Sequence, residues 1–275
     1  MMDEKIAENF LRLVSDTRKN GVPEMHFRLW RRSPDSVREK YLAAFRADPE
    51  AMAWYEAGYI GEDPDFDALL ELPPESLGYQ YAWHIIDNGL NKTIASDYRR
   101  AHERMDAEGK LQGMPDEVKY ATLRGFQIHD IFHILTGDLT DARGEMALQA
   151  FTLAQQRLPY ASIWMATLTT QMTFENPNMT ELVMDAISDG WRRGRAARNL
   201  NYERWEERMA EPVEALRREF GVTTATLNCL PAIHPPQLLP CPHRHRRQTL
   251  QATQNPAPGV RRVDDVVQLH AAALA

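Results

Sequence analysis

Cysteine is almost absent from this sequence of 275 residues, which contains only Cys229 and Cys241. Two cysteines in a chain without a secretory signal are most simply reduced thiols, so we expect no disulfide framework. The sequence also has no internal repeat and no glycine-rich phosphate loop. Neither a repeat architecture nor a P-loop nucleotide site is therefore expected.

The sequence lacks a basic excess and a long apolar run. Its formal net charge of -7 would repel a phosphate backbone, so nucleic acid is not expected as a partner. The most apolar stretch, 161–168, is far shorter than the roughly 18 residues of a membrane span. The first residues, MMDEKIAENF, carry acids where a signal peptide carries a basic region. We expect a cytoplasmic protein, with a peripheral position at the inner face of a membrane left open.

The pattern of apolar residues predicts an all-α fold. From the N-terminus to about Gly221, apolar residues recur at intervals of three and four, with glycines and prolines at the breaks. We predict one helical domain over residues 1–222, with about seven or eight helices. Seven prolines then fall between Leu230 and Pro258, which is too polar and proline-rich a composition to bury a core. Residues 223–275 are predicted to be a disordered tail.

Two neighbouring helices are predicted around the most informative segment. Pro115 and the acids after it open one helix, which Gly137 is placed to end. Thr140 is placed to cap the next helix, which runs to about Leu158 before Pro159 interrupts it. Because the connector is short, we expect the two helices to pack antiparallel.

Four potential metal ligands fall on this predicted pair. His129 and His133 are four residues apart, which places both imidazoles on one helix face, and Asp130 can converge with them. Glu145 lies in the first turn of the following helix. We therefore predict a metal site between the two helices, with His129, Asp130, His133 and Glu145 as the metal-binding and catalytic residues.

The donor set limits which metal such a site would bind. Two imidazoles and two carboxylates suit one divalent ion, with zinc, iron, manganese and magnesium left open, better than they suit calcium. A histidine pair at helical spacing is also common on surfaces and core edges, and Asp130 and Glu145 could be capping or solvated acids. The HExxH motif of zinc proteases does not apply, because Asp130 replaces its glutamate. A metal-dependent phosphohydrolase of the HD class stays an alternative.

The motif HDxxH, separated by eleven residues from a following glutamate, resembles the coenzyme Q (ubiquinone) biosynthesis protein 4 family. The motif residues are His129, Asp130, His133 and Glu145. Other segments that resemble this family are SLGYQYAWHIIDNGL at 76–90, LTG at 135–137, GEMALQAF at 144–151, AQQRLP at 154–159, DGWRRGRAARNL at 189–200 and the stretch 205–216. The resemblance covers roughly residues 60 to 221. The proline-rich tail departs from the family pattern, which normally ends near residues 216–222.

The resemblance implies an all-helical protein that binds a divalent metal and acts on a polyprenylated aromatic precursor of ubiquinone. It implies a metal-dependent, oxidative or simple decarboxylation at ring carbon one of a polyprenyl hydroxybenzoate. The alternative is a non-catalytic scaffold that binds metal and lipid and organises the other ubiquinone biosynthesis proteins on a membrane surface. Homodimer formation is left open.

Two further groups of residues have a functional and a structural interpretation. Arginines 192, 193, 195 and 198 could bind an anionic head group, although a solvated helix face is the simpler interpretation. Ile163, Trp164, Met165 and Leu168 could line a channel for a prenyl chain, although such residues on a helix are usually core.

Overall fold

The computed structural model describes residues 4–17, 21–90 and 98–225 as an all-helical protein, and no β-strand occurs in these residues. The α-helices are α1 Glu4–Ser15, α2 Val22–Arg32, α3 Asp35–Arg46, α4 Pro49–Ala57, α5 Phe66–Leu70, α6 Leu77–Asp87, α7 Tyr98–Ala107, α8 Asp116–Thr136, α9 Ala142–Gln156, α10 Pro159–Glu175, α11 Thr180–Ala196 and α12 Val213–Phe220. The all-α prediction is confirmed. The described residues form more helices than the seven or eight expected, because helices as short as α5 show no apolar periodicity in the sequence.

The 21-residue helix α8 lies in the centre of the core. It begins after Pro115, with Asp116 and Glu117 in its first turn, and ends at Gly137, whose φ of 69° is left-handed. These are the predicted start and stop. Most residues of α8 are buried, and they lie on all faces of the helix, as expected of a central helix. Several of its polar residues, among them Gln127, Asp130 and His133, are therefore held away from solvent.

Helix α9 packs closely against α11 through two glycines. A Cβ atom on Gly190 would collide with the carbonyl oxygen of Ala147, and one on Gly194 would lie 2.5 Å from the carbonyl oxygen of Phe151. The missing side chains let the two backbones approach each other. Because Glu145 is on α9, this packing fixes the helix that carries the fourth predicted ligand.

The apolar segment of α10 is part of the core. Ile163, Trp164 and Leu168 are buried, and Met165 packs partly buried against the same cluster. This placement favours the structural interpretation over a prenyl channel. Among the described helices, none combines the length and hydrophobicity that crossing a membrane requires.

The chain continues past α12 onto the end of α8. The backbone N–H of Ala225 donates to the carbonyl oxygen of Thr136 at 3.1 Å, and Thr223 accepts a hydrogen bond from Arg193. Residues 223–225, the first of the predicted tail, thus contact the helical body. The rest of that tail lies outside the described residues, so the division at residue 222 stays a prediction.

Candidate metal centre

Three predicted ligands lie together on α8. One donor atom each from His129, Asp130 and His133 lies within 4.8 Å of the others. The two imidazole rings have centroids 4.9 Å apart and are nearly perpendicular. Their spacing along the chain places them on one helix face, as predicted. Asp130 and His133 are buried, and His129 is nearly so.

Glu145 reaches this group from the first turn of α9. The Asp141 carboxylate caps α9 by accepting a hydrogen bond from the backbone N–H of Gly144, so the predicted cap at Thr140 is wrong by one residue. A Cβ atom on Gly144 would collide with the carbonyl oxygen of Leu139. The bare backbone therefore allows the connector to turn tightly. As a result, Glu145 Oε1 lies 3.2 Å from His133 Nε2, and Oε2 lies 3.6 Å from His129 Nε2.

The connector between α8 and α9 also orients His133. The Nδ1 atom of His133 donates to the carbonyl oxygen of Asp138 at 2.9 Å, so Nε2 faces Glu145. The Asp138 carboxylate is itself paired with Arg193, whose side chain is buried. Neither interpretation of Arg193 from the sequence is correct, because it faces the protein interior instead of solvent or a head group. Its neighbours Arg192, Arg195 and Arg198 are exposed.

Charge interactions oppose the cost of burying these groups. Burial alone would raise the pKa of Glu145, but His133 and His129 beside it hold the pKa well below its usual range. Burial alone would lower the pKa of His133, but the Glu145 carboxylate raises it to about 9. Burial likewise opposes ionisation of Asp130, whose pKa is nevertheless lowered, chiefly by a hydrogen bond from His84. Both carboxylates are therefore held ionised.

These observations fit a divalent metal ion. The hydrogen bond from His133 Nδ1 leaves Nε2 as the nitrogen that a metal can use, which is the usual arrangement of metal-binding histidines. Two ionised carboxylates would balance the charge of a divalent cation. The mixture of nitrogen and oxygen donors suits a transition metal or magnesium better than calcium.

Two residues next to Asp130 were not identified from the sequence. His84 on α6 places Nε2 3.4 Å from Asp130 Oδ1, and its ring stacks on the His133 ring with centroids 5.5 Å apart. Tyr98 on α7 places its hydroxyl 3.5 Å from Asp130 Oδ2. Both residues are far from α8 along the chain, so no sequence spacing connects them with the predicted ligands. The only signal for His84 was its place in the family-like stretch 76–90.

Tyr98 also lines a cavity of about 200 Å³. The cavity wall contains Tyr81, Gln127 and Ile131 besides Tyr98. Its other lining residues are Glu62, Asp63, Pro64, Asp65, Ala68, Leu69, Glu206 and Met209. A cavity of roughly 150 Å³ can bind benzene, so this one has room for a single substituted aromatic ring.

Comparisons with known proteins agree with the resemblance seen in the sequence. Residues 60–226 match the family model described as coenzyme Q (ubiquinone) biosynthesis protein Coq4. The chain is 28% identical over 193 residues to a mitochondrial ubiquinone biosynthesis protein coq4 of Talaromyces marneffei. This alignment covers 70% of this chain and 58% of that protein. It is 32% identical over 167 residues to the mitochondrial COQ4 homologue of Mus musculus, covering 58% of this chain and 54% of that protein. The chain thus spans a little over half the length of these curated relatives.

A solved structure has a similar fold. The crystal structure of a putative ubiquinone biosynthesis protein from Nostoc punctiforme superimposes with a TM-score of 0.61 at 20% sequence identity. The similarity covers 79% of this chain and 97% of that protein. At this identity, the match supports the helical architecture alone.

Proposed function

The chain belongs to the coenzyme Q (ubiquinone) biosynthesis protein Coq4 family, and from that premise we propose that it acts in ubiquinone biosynthesis as a metal-dependent decarboxylase. The substrate in this proposal is a polyprenylated hydroxybenzoate that loses the carboxyl group at ring carbon one. The observation that carries the proposal is the convergence of His129, Asp130, His133 and Glu145 inside the core. The names of the curated relatives support the pathway.

These four side chains would hold one divalent ion, with zinc, iron, manganese and magnesium as the candidates. When bound, the ion supplies a Lewis acid that stabilises the negative charge developing on the substrate. The protein supplies an environment with little water, since the four side chains are only 2–11% exposed. Electrostatic interactions are stronger in such surroundings.

In simple decarboxylation, the bond between ring carbon one and the carboxyl carbon breaks. The electron pair stays on the ring carbon, which takes up a proton while carbon dioxide leaves. The oxidative form leaves a hydroxyl group at that carbon and needs dioxygen as the oxidant and a source of two further electrons. The mass of the aromatic product distinguishes the two forms.

The cavity beside Tyr98 is a candidate for the ring of the substrate. Its lining includes the exposed acids Glu62, Asp63 and Asp65, and Tyr98 in the same wall lies next to the ionised Asp130, so without a metal these side chains would repel a substrate carboxylate. A divalent ion held by the four side chains would attract that carboxylate, so a hydroxybenzoate would bind with its carboxyl group toward Tyr98 and Asp130. This orientation directs the reacting group to the metal-binding side chains.

The burial of the centre favours one alternative, a non-catalytic scaffold. A site in which His133 is 2% exposed and Glu145 is 8% exposed resembles an enclosed structural metal site as much as a reactive one. In this alternative, metal organises α8 and α9, and the protein presents a prenylated intermediate to other ubiquinone biosynthesis proteins at a membrane surface.

Release of carbon dioxide tests the proposal against this alternative. Purified protein is loaded separately with iron, manganese, zinc or magnesium and incubated under air, with and without a reductant, with a short-chain prenylated hydroxybenzoate labelled at the carboxyl carbon. We expect labelled carbon dioxide with at least one metal. No release with any of them from protein of confirmed metal content would contradict the decarboxylase and favour the scaffold.

A further inference from the structure

Both oxygens of the Asp130 carboxylate have a neighbour from another helix. His84 Nε2 on α6 lies 3.4 Å from Oδ1, and the Tyr98 hydroxyl on α7 lies 3.5 Å from Oδ2. The side chains of His84 and Asp130 are 12% and 11% exposed. Asp130 is thus enclosed between the other predicted ligands and these two residues.

The chemistry of Asp130 fixes the direction of both contacts. Carboxylate oxygens accept hydrogen bonds, so Asp130 is the acceptor in both contacts. In this arrangement the Tyr98 hydroxyl and an N–H at His84 Nε2 are the donors. Because its Nε2 faces Asp130, His84 is placed as a neighbour of the predicted ligands and not as a fifth ligand.

The ring of His84 also has a fixed place against His133. The ring centroids of His84 and His133 are 5.5 Å apart and the ring planes are inclined by 26°, which is a stacked arrangement. His84 therefore contacts one predicted ligand through a hydrogen bond and another through the face of its ring. One side chain on α6 therefore contacts both Asp130 and His133.

We propose that His84 is a positioning residue of the metal centre, which holds the Asp130 carboxylate in the orientation needed for metal binding while its ring supports His133. Tyr98 restrains the second oxygen of Asp130. This proposal rests on the proposed metal binding by the four residues. Hydrogen bonds to metal-binding carboxylates and histidines commonly change metal affinity by roughly 10- to 100-fold, so removing His84 should weaken binding without removing a ligand.

Zinc affinity, measured by competition with a chelator, tests the role of His84. His84→Leu keeps a similar volume but has no donor, and we expect zinc affinity to fall roughly 10- to 100-fold. His84→Gln places an amide N–H near the position of Nε2, so it should restore most of the affinity. The absorption spectrum of the cobalt-substituted protein should change in His84→Leu and return toward that of wild type in His84→Gln.

A control and a double-mutant cycle separate positioning from a general structural effect. His102 on α7 is also partly buried but interacts with Asp106 and Lys119, so His102→Leu should leave zinc affinity and the cobalt spectrum unchanged. In an Asp130→Ala background, His84→Leu should have a much smaller effect than in wild type, because the carboxylate that it holds is gone.

Each outcome supports or contradicts the proposal. Equal zinc affinity and identical cobalt spectra in wild type and His84→Leu would overturn it while leaving the metal centre intact. An undiminished effect of His84→Leu in the Asp130→Ala background would also overturn it, because His84 would then act independently. If His84→Leu does not fold, His84→Phe takes its place as the variant without a donor. A loss of zinc affinity in His84→Phe that His84→Gln restores supports the proposal, and equal affinities in the two variants contradict it. A wild type that binds no zinc would overturn the metal centre and this proposal together.

Discussion

Arg193 on α11 places Nη2 2.7 Å and 2.8 Å from the two carboxylate oxygens of Asp138, and both side chains are 1% exposed. The backbone carbonyl of the same Asp138 accepts the hydrogen bond from His133 Nδ1. A buried ion pair thus anchors the connector that orients a predicted metal ligand. The pair links α11, the α8–α9 connector and the metal centre.

Loss of Arg193 should strongly destabilise the protein. Arg193→Met leaves the Asp138 carboxylate buried without its cation, and breaking a buried pair in this way costs about 3–5 kcal/mol. Arg192 is the control because its side chain is 66% exposed, where an ion pair contributes about 0–1 kcal/mol, and because its partner Asp189 keeps Arg193 as a second partner when Arg192 is replaced. Denaturant unfolding of wild type, Arg193→Met and Arg192→Met measures the difference. Similar losses in the two variants would show that the Arg193 pair is not special.

The close approach of α9 and α11 should tolerate no side chain at Gly190. Gly190→Ala forces a Cβ atom against the carbonyl oxygen of Ala147, and we expect a loss of about 1–3 kcal/mol. Gly125 on α8 is the control, because a Cβ atom there would lie 3.5 Å from Gln156 Oε1, an ordinary contact. Gly125→Ala should be neutral or stabilise by up to about 1 kcal/mol through helix propensity. Thermal unfolding of both variants checks the prediction, and a Gly190→Ala protein as stable as wild type would contradict it.

A buried histidine should make the protein sensitive to acid. His26 on α2 is fully buried among Phe27, Trp30 and Tyr160, and neither ring nitrogen has a hydrogen-bond partner. Burial lowers its pKa from 6.5 to about 3. Between these two values, the unfolded chain binds a proton that the folded protein does not, so stability falls as the pH drops below 6.5.

The size of this acid effect can be isolated with a variant. Between pH 7.5 and pH 5, His26 should cost the wild type about 2 kcal/mol, since each pH unit below 6.5 costs about 1.36 kcal/mol. His26→Phe removes the titrating group, so its free energy of unfolding should fall by about 2 kcal/mol less over the same range. Any constant effect of the larger ring cancels in this comparison. Parallel pH profiles of the two proteins would refute the assignment.

Glu145 should be needed for chemistry as well as for binding. Glu145→Gln keeps the size of the side chain and one oxygen donor but removes a negative charge. The protein should therefore still bind the metal, with lower affinity, and the electrostatic field at the substrate should change. In metal-replete protein, we expect carbon dioxide release to fall about 100-fold, equivalent to about 2.7 kcal/mol of transition-state stabilisation. Unchanged release at confirmed metal content would show that this charge does not contribute to the reaction.

The sequence predicted the helices that carry the site because their signals are local. Pro115 and Gly137 mark the ends of α8, and the spacing of His129 and His133 follows from helix geometry. Glu145 was placed in the first turn of α9 by the same reasoning, although the cap is Asp141 instead of Thr140.

The surroundings of the site could not be predicted, since they depend on contacts between distant residues. His84 is 46 residues from Asp130, and Arg193 is 55 residues from Asp138. The face of α11 that carries Arg193 also carries the buried Ala186 and Gly190. These small residues at helical spacing marked a buried face, but the arginine at the same spacing was interpreted as solvated because buried arginines are rare.

Metal content is the most direct test of the central claim that these four side chains hold one divalent ion. The protein is purified without an affinity tag, and its metals are measured by elemental analysis in wild type, His133→Ala and the control His102→Ala, with helix content monitored by circular dichroism. We predict one divalent ion per chain in wild type and in His102→Ala, and almost none in a folded His133→Ala. Full occupancy in His133→Ala, or no metal in wild type after incubation with zinc, iron, manganese and magnesium, would contradict the account.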